Sequence, residues 1–126
     1  VPSASSSTEV RKEVTDAFHQ MWDAFPHLVL LLKRDRTIVA SNRVAQERGA
    51  VAGLKCYEWA GAKSIHPGCK GNLAMDRLKG QRSVGNYGGR VLDSYWLPVG
   101  GEKDLLLHFS VDITPYAKEE LLKAPS

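Results

Sequence analysis

Leu105-Leu106-Leu107-His108-Phe109-Ser110-Val111-Asp112-Ile113-Thr114-Pro115 is the stretch on which the fold turns. Leu105 to Val111 is an unbroken β-favouring run, whereas Tyr116 to Lys123 consists largely of helix formers. A strand therefore ends near Asp112 and a helix is expected from Tyr116. Thr114 is placed to cap that helix through its hydroxyl, and Pro115 occupies the first helical position, where its missing donor costs nothing. An ordinary strand-to-helix turn and a joint that passes a signal outward both fit this junction.

Upstream of it, period-two patterning marks two more strands, Ser83 to Tyr87 and Arg90 to Val99. They are separated by Gly88-Gly89, and Gly100-Gly101-Glu102-Lys103 divides the second from a last strand over Asp104 to Ile113. Between Gly53 and Gly80, glycines break the chain into short helices, and Pro67 is expected to open a longer one carrying Leu73, Ala74 and Leu78. His27 to Lys33 and Thr37 to Ser41 form a hairpin across Arg34-Asp35-Arg36. Asn42 is placed to cap a short helix over Arg43 to Glu47, which Gly49 stops. Residues 8–25 carry Val10, Val14, Phe18, Met21, Trp22 and Phe25 as the apolar stripe of an amphipathic helix that Pro26 ends. Ser6 with Glu9 is a candidate capping box, and residues 1–7 read as a linker. Five short strands in two hairpin-linked groups imply an α+β fold, an antiparallel sheet with helices packed on one face and a flanking helix at each end.

The chain has 126 residues, 43% hydrophobic and 25% charged, enough for one modest core. Its longest apolar run, Leu28 to Leu32, is strand-sized, so no membrane contact is expected of this segment. The N-terminus lacks the basic and apolar regions of a signal peptide. A net charge of +3 is spread along the chain without an aromatic stripe, which argues against nucleic acid as a partner. Two cysteines are too few for a disulfide scaffold, and a reducing cytoplasm is the expected compartment.

The element order, with Ile38-Val39-Ala40-Ser41-Asn42-Arg43-Val44-Ala45 and Asp112-Ile113-Thr114, resembles the PAS sensor domain over roughly Phe25 to Lys123. Asn42 matches the asparagine that closes the second strand in that family, and Asp112-Ile113-Thr114 matches its closing Asp-(Ile/Ala)-Thr motif. The usual Asp-x-x-Gly turn of the first hairpin appears as Arg34-Asp35-Arg36-Thr37, without glycine. The resemblance implies a PAS-like sensor over residues 26–114, whose five-stranded sheet curves around a cavity, and the start of a signalling helix over 115–126. It implies a cytoplasmic module without catalysis, linked to an output domain such as a histidine kinase, a diguanylate cyclase or a transcription regulator. Asn42, Asp112 and Thr114 would relay the signal. Asp112 is expected either to pair with Arg34 or Arg36 or to satisfy N–H groups of its own turn.

Strand alternation puts Leu106, His108 and Ser110 on one face and Leu105, Leu107, Phe109 and Val111 on the other. The resemblance makes the His108 face the cavity wall, joined from the neighbouring strand by Ser94, Trp96 and Pro98. His108 would there bind a ligand or a metal or haem iron, titrate, or simply find a backbone partner. Cys56, His66 and Cys69 form Cys-x9-His-x2-Cys, three ligand types suited to zinc, although a fourth is not evident. They are candidates for a metal or redox site, for a reversible Cys56–Cys69 disulfide, or for inert core thiols. Gly53-Leu54-Lys55-Cys56-Tyr57-Glu58 followed by His66-Pro67-Gly68-Cys69 is similar to a PAS variant with a Cys-Pro-Gly-Cys segment. Asn72 is followed by Leu73 rather than the Cys-Arg of flavin-binding members, so flavin is not expected, and the cofactor stays open. No nucleophile elbow or phosphate loop is present, which argues against an enzyme. The competing reading is a ligand-free interaction module, in which the N-terminal stripe either forms a homodimer or folds back over its own sheet.

Overall fold

The computed structural model describes residues 10–123. In chain order it contains α1 (Lys12–Trp22), β1 (Val29–Lys33), β2 (Ile38–Ser41), α2 (Arg43–Glu47), α3 (Cys56–Trp59), α4 (Gly71–Arg77), β3 (Gln81–Tyr87), β4 (Arg90–Pro98), β5 (Leu105–Asp112), a 3-10 turn (Thr114–Tyr116) and α5 (Glu119–Lys123). The strands make one antiparallel sheet in the order β2-β1-β5-β4-β3. The α+β expectation holds, as do the hairpins β1–β2, β3–β4 and β4–β5. Gly88 and Gly89 turn between β3 and β4 with φ of 62° and 90°, the left-handed pair that a tight hairpin requires.

The sheet divides two apolar clusters. Leu30, Leu32, Trp96 and Leu106 point to the inner face, where Ala45, Ala74 and Met75 of the helical middle meet them. Val29, Leu31, Leu105 and Leu107 point to the outer face, where Phe18 of α1 packs. Side chains one residue apart therefore feed different cores, as the strand pleat demands.

The N-terminal stripe folds back over its own sheet. Phe18 is 3% exposed, and Val10, Val14, Trp22 and Phe25 pack around the same cluster. Trp22 and Phe25 both contact Phe109, which stacks on Tyr95 at 5.1 Å. Met21 departs from the expected stripe and is 70% exposed. A homodimer through this stripe would have to use Met21 or lift α1 off the sheet. The helix is shorter than expected, ending at Trp22, because Phe25 precedes Pro26 and the chain must leave the helical conformation before it. The Ser6–Glu9 capping box and residues 1–7 lie outside the described residues.

Two other elements differ from expectation. Pro67 does not open a helix: Cys69 N–H donates to the His66 carbonyl at 3.1 Å, closing a turn, and α4 begins at Gly71. The helix expected from Tyr116 is broken by extended backbone at Ala117 (φ −77°, ψ 147°) and starts again at Glu119. Thr114 does not cap it. Its hydroxyl bonds Asp112 and accepts from Val91 N–H at 2.9 Å, tying the end of β5 to the start of β4.

Asn42 ties together the segment after α1, the start of β1 and the start of α2. Its Oδ1 accepts from Ala45 N–H, capping α2, and from Val29 N–H at the start of β1. Its Nδ2 faces the carbonyls of Trp22, Phe25 and His27 at 3.1, 3.3 and 2.8 Å. Asn42→Ala removes the cap and leaves buried backbone groups unpaired, which should cost about 3 kcal/mol in urea unfolding. Phe18→Asp places a carboxylate in the outer core. It should destabilise the domain by about 4 kcal/mol, by the same measurement, rather than yield a stable monomer from a dimer.

Candidate functional site

Between the inner face of the sheet and the helical middle lies a cavity of about 570 Å³. Leu30, Leu32, Leu92, Trp96, His108 and Ser110 form its sheet wall, and Cys56, Tyr57, Trp59, Ile65, His66 and Cys69 face them. Both groups singled out in the sequence therefore meet around one space. Strand alternation along β4 and β5 supplies the first group. The second comes from the loops around α3, which Trp59 anchors by donating to the Arg48 carbonyl at 2.9 Å.

His108 lies flat against Trp96, with ring centroids 4.9 Å apart and planes 12° apart. Its Nδ1 is 2.8 Å from the Tyr95 carbonyl, which can only accept, so Nδ1 carries the proton. In the neutral ring this leaves the Nε2 lone pair as an acceptor. Burial pushes the imidazole down to about 4, with smaller contributions from His66 and Arg36, so His108 is neutral at physiological pH. Ser110 and Ser94 share a hydroxyl bond of 2.7 Å, with Ser110 on the wall and Ser94 buried outside the lining. Leu106 is fully buried in the inner core and does not reach the cavity. Pro98 lies beyond the cavity, against Leu106.

Both Cys56 and Cys69 are free thiols. Burial raises Cys56 above the usual thiol range, Cys69 adds to this, and Arg36 acts in the opposite direction. Burial and Arg36 lower His66. The turn over His66 to Cys69 denies these two residues the shared helical face expected from their spacing. Among the described residues, no three His, Cys, Asp or Glu side chains lie together in a way that could hold a metal ion.

Asp112 lies at the rim and pairs with neither Arg34 nor Arg36. It accepts from Thr114 N–H at 3.0 Å and from the Thr114 hydroxyl, with Arg90 Nη1 at 3.8 Å. Antiparallel register is the reason: Lys33 lies opposite Leu105, so Arg34 falls at the far end of β5 from Asp112. There Arg34 bonds Asp104 and Asp76, each at 2.8 Å. Its own turn and Arg90 hold the Asp112 carboxyl below the usual range, the Thr114 hydroxyl first among the causes.

Sequence reasoning offered Arg36 only as a partner for Asp112, not as a buried charge behind the cavity, and missed the rim residues Arg48 and Arg90 and Trp59. Arg36 is 1% exposed and adopts φ 74°, the left-handed conformation normally given to glycine. The missing glycine of the first hairpin was the available signal.

No protein-family model and no curated protein sequence matches the chain. Among solved structures it is similar to a domain of an HTR-like protein from Haloarcula marismortui ATCC 43049, with 22% identity over 71% of this chain and 99% of that one, at a TM-score of 0.53. The fold is PAS-like. The PAS domain of Bordetella pertussis BvgS matches at 16% identity over 86% of this chain and 90% of its own, with a TM-score of 0.48. The PAS domain of an HTR-like protein from Haloarcula marismortui matches at 16% identity over 82% and 100%, with a TM-score of 0.44. The cavity lies on the inner face of this sheet, bordered by the His108 side of β5.

His108 makes stability depend on pH with a definite sign. It is neutral when folded down to about pH 4, whereas in the unfolded chain it takes a proton below about 6.5. Between those values the unfolded chain binds more protons, so stability is full above the window and is lost as pH falls, by on the order of 3 kcal/mol. Urea unfolding at pH 7 and pH 4.5 should show this loss, and His108→Gln should flatten it.

Proposed function

We propose that this chain is a signal-sensing domain that binds a small molecule in the cavity and relays its presence through the terminal segments to a linked output domain. The carrying observation is that one strand serves both ends of that task. β5 presents His108 and Ser110 to the cavity, and two residues later Asp112 locks Thr114, which also binds the first residues of β4. A shift of β5 against its neighbours therefore changes the seat of the C-terminal segment. That segment is held to β3 by Asn86, whose side-chain amide donates to the carbonyls of Leu121 and Leu122 at 2.9 and 3.0 Å.

The ligand acts by binding one arrangement of these elements better than another. Residues 26–114 are the sensing unit on this reading, α1 and the segment after Thr114 are its two connections, and the output is a kinase, cyclase or transcription regulator in the cytoplasm. The domain itself supplies no catalytic chemistry. The Cys56, His66 and Cys69 side chains contribute to ligand recognition as cavity wall rather than as a metal site.

Native mass spectrometry of freshly purified protein should show a mass excess that disappears on denaturation. His108→Ala should reduce the retained fraction while leaving the melting transition cooperative. A bare mass for the wild-type protein, with no small molecule able to protect the cavity in hydrogen exchange, would move the function to protein–protein interaction. Asp112→Ala should leave ligand retention intact and increase exchange at the amides of Thr114 to Lys123.

A further inference from the structure

Arg36 is the least accommodated residue of the domain. Its side chain is buried, its backbone is strained at φ 74°, and among the described residues its Nε has no hydrogen-bond partner. Its Nη1 donates to the Arg34 carbonyl and, at 3.1 Å, to Asn72 Oδ1, while Nη2 lies 3.4 Å from Cys69 Sγ. Those partners are a carbonyl, an amide and a thiol. The nearby carboxylates are engaged elsewhere, with Asp35 on Lys55 and both Asp76 and Asp104 on Arg34. Among the described residues none forms an ion pair with Arg36. Gly71 makes room for it, since a Cβ there would fall 2.6 Å from Nη2. The fold thus accepts strain, an orphan donor and a buried charge without a counter-charge at one position.

A buried cation normally comes with an anion, because removing a charge from water is expensive unless it is paired. In a low-dielectric interior its field also reaches several ångströms beyond its contacts. That reach includes the cavity: Cys69, which touches the guanidinium, lines it, and His66 and His108, also on its walls, both respond to Arg36. The exposed Arg48 and Arg90 add positive charge at the rim. Asp112 is the one carboxylate on the lining among the described residues, and Thr114 and Arg90 already engage it.

We propose that the cavity takes a small carboxylate with an apolar body, its anionic end at Cys69, next to Arg36, and its body against Leu30, Leu92 and Trp96. The inference rests on the cavity being the ligand site and names the class of ligand. Arg36 does not itself line the cavity; it supplies a positive field from behind the Cys69 wall, so a carboxylate placed there is stabilised at longer range by a charge the fold leaves without an ion-pair partner among the described residues. The flat Trp96–His108 wall suits a planar or chain-like body, and the rim arginines draw the anion in.

The test is a matched panel of benzoate, phenylacetate, indole-3-acetate and octanoate against their primary amides, by ligand-observed NMR titration and thermal melting. Carboxylates that bind should do so roughly tenfold or more tighter than their amides, as expected when a charged partner is replaced by a neutral one. Arg36→Lys, which keeps the charge, should retain that preference, and Arg36→Gln should erase it. The wild-type comparison stands even if either variant fails to fold. Amides that bind as tightly as the acids would overturn the anion proposal and leave the cavity as the ligand site. Failure of every acid and amide to bind would overturn both the anion proposal and the ligand-site reading that it rests on.

Discussion

The pairing of β5 on both sides, with β1 and with β4, is the constraint on which the rest of the structure depends. A strand enclosed in this way exposes neither edge, and its alternating side chains must satisfy two different environments. Leu105, Leu107 and Phe109 fill the outer core under α1. Leu106 fills the inner core, and His108 and Ser110 border the cavity. The histidine is tolerated there because the Tyr95 carbonyl of the adjacent strand accepts a hydrogen bond from its Nδ1–H, so a neutral ring satisfies the backbone and leaves one acceptor. The same strand then ends in a compact turn in which Asp112 and Thr114 satisfy one another and the start of β4.

The outer face shows how terminal segments become part of the domain. Trp22 of α1 and Phe25 just after it reach Phe109, which stacks on Tyr95, and Tyr95 in turn donates to Asp93, the bidentate partner of Arg82. Asn86, further along the sheet, holds the carbonyl end of α5. α1 and α5 are therefore both seated on one sheet whose opposite face carries the cavity. Asn42 closes the arrangement from the other side, because one amide serves the end of α1, the start of β1 and the cap of α2. Buried polar networks of this kind are costly when incomplete, which gives them a defined geometry when they are complete.

Arg36 stands apart from that economy. Its neighbours Arg34 and Asp35 form ion pairs, whereas among the described residues its guanidinium has neutral partners and one donor, Nε, without a partner. Its position follows from turn geometry. A left-handed residue between β1 and β2 directs its side chain under α4, where Gly71 leaves space. Arginine in place of the expected glycine gives the cavity a charge that no residue count of its lining would reveal.

Strand alternation and turn chemistry were legible in the order of residues, because a pleated strand has an exact period and glycine or asparagine has few substitutes where the backbone demands them. Hence the five strands, the Asn42 cap, the Gly88-Gly89 hairpin and the two faces of β5 could be read in advance, with His108 on its inner face beside Trp96 of β4. The C-terminal helix was misread because the Thr114 hydroxyl had a stronger use in tying β5 to β4, a partnership 23 residues apart that local propensity does not contain. Arg34 and Asp112 were separated by antiparallel register, which no local pattern specifies. The union of Cys56, His66 and Cys69 with the His108 wall, and the burial of Arg36 beside them, belong to the tertiary structure alone. Sequence by itself determined which backbone each segment would adopt, since that is governed by neighbours along the chain. Only packing decided which distant side chains would share a low-dielectric space, and therefore where charge would be left uncompensated.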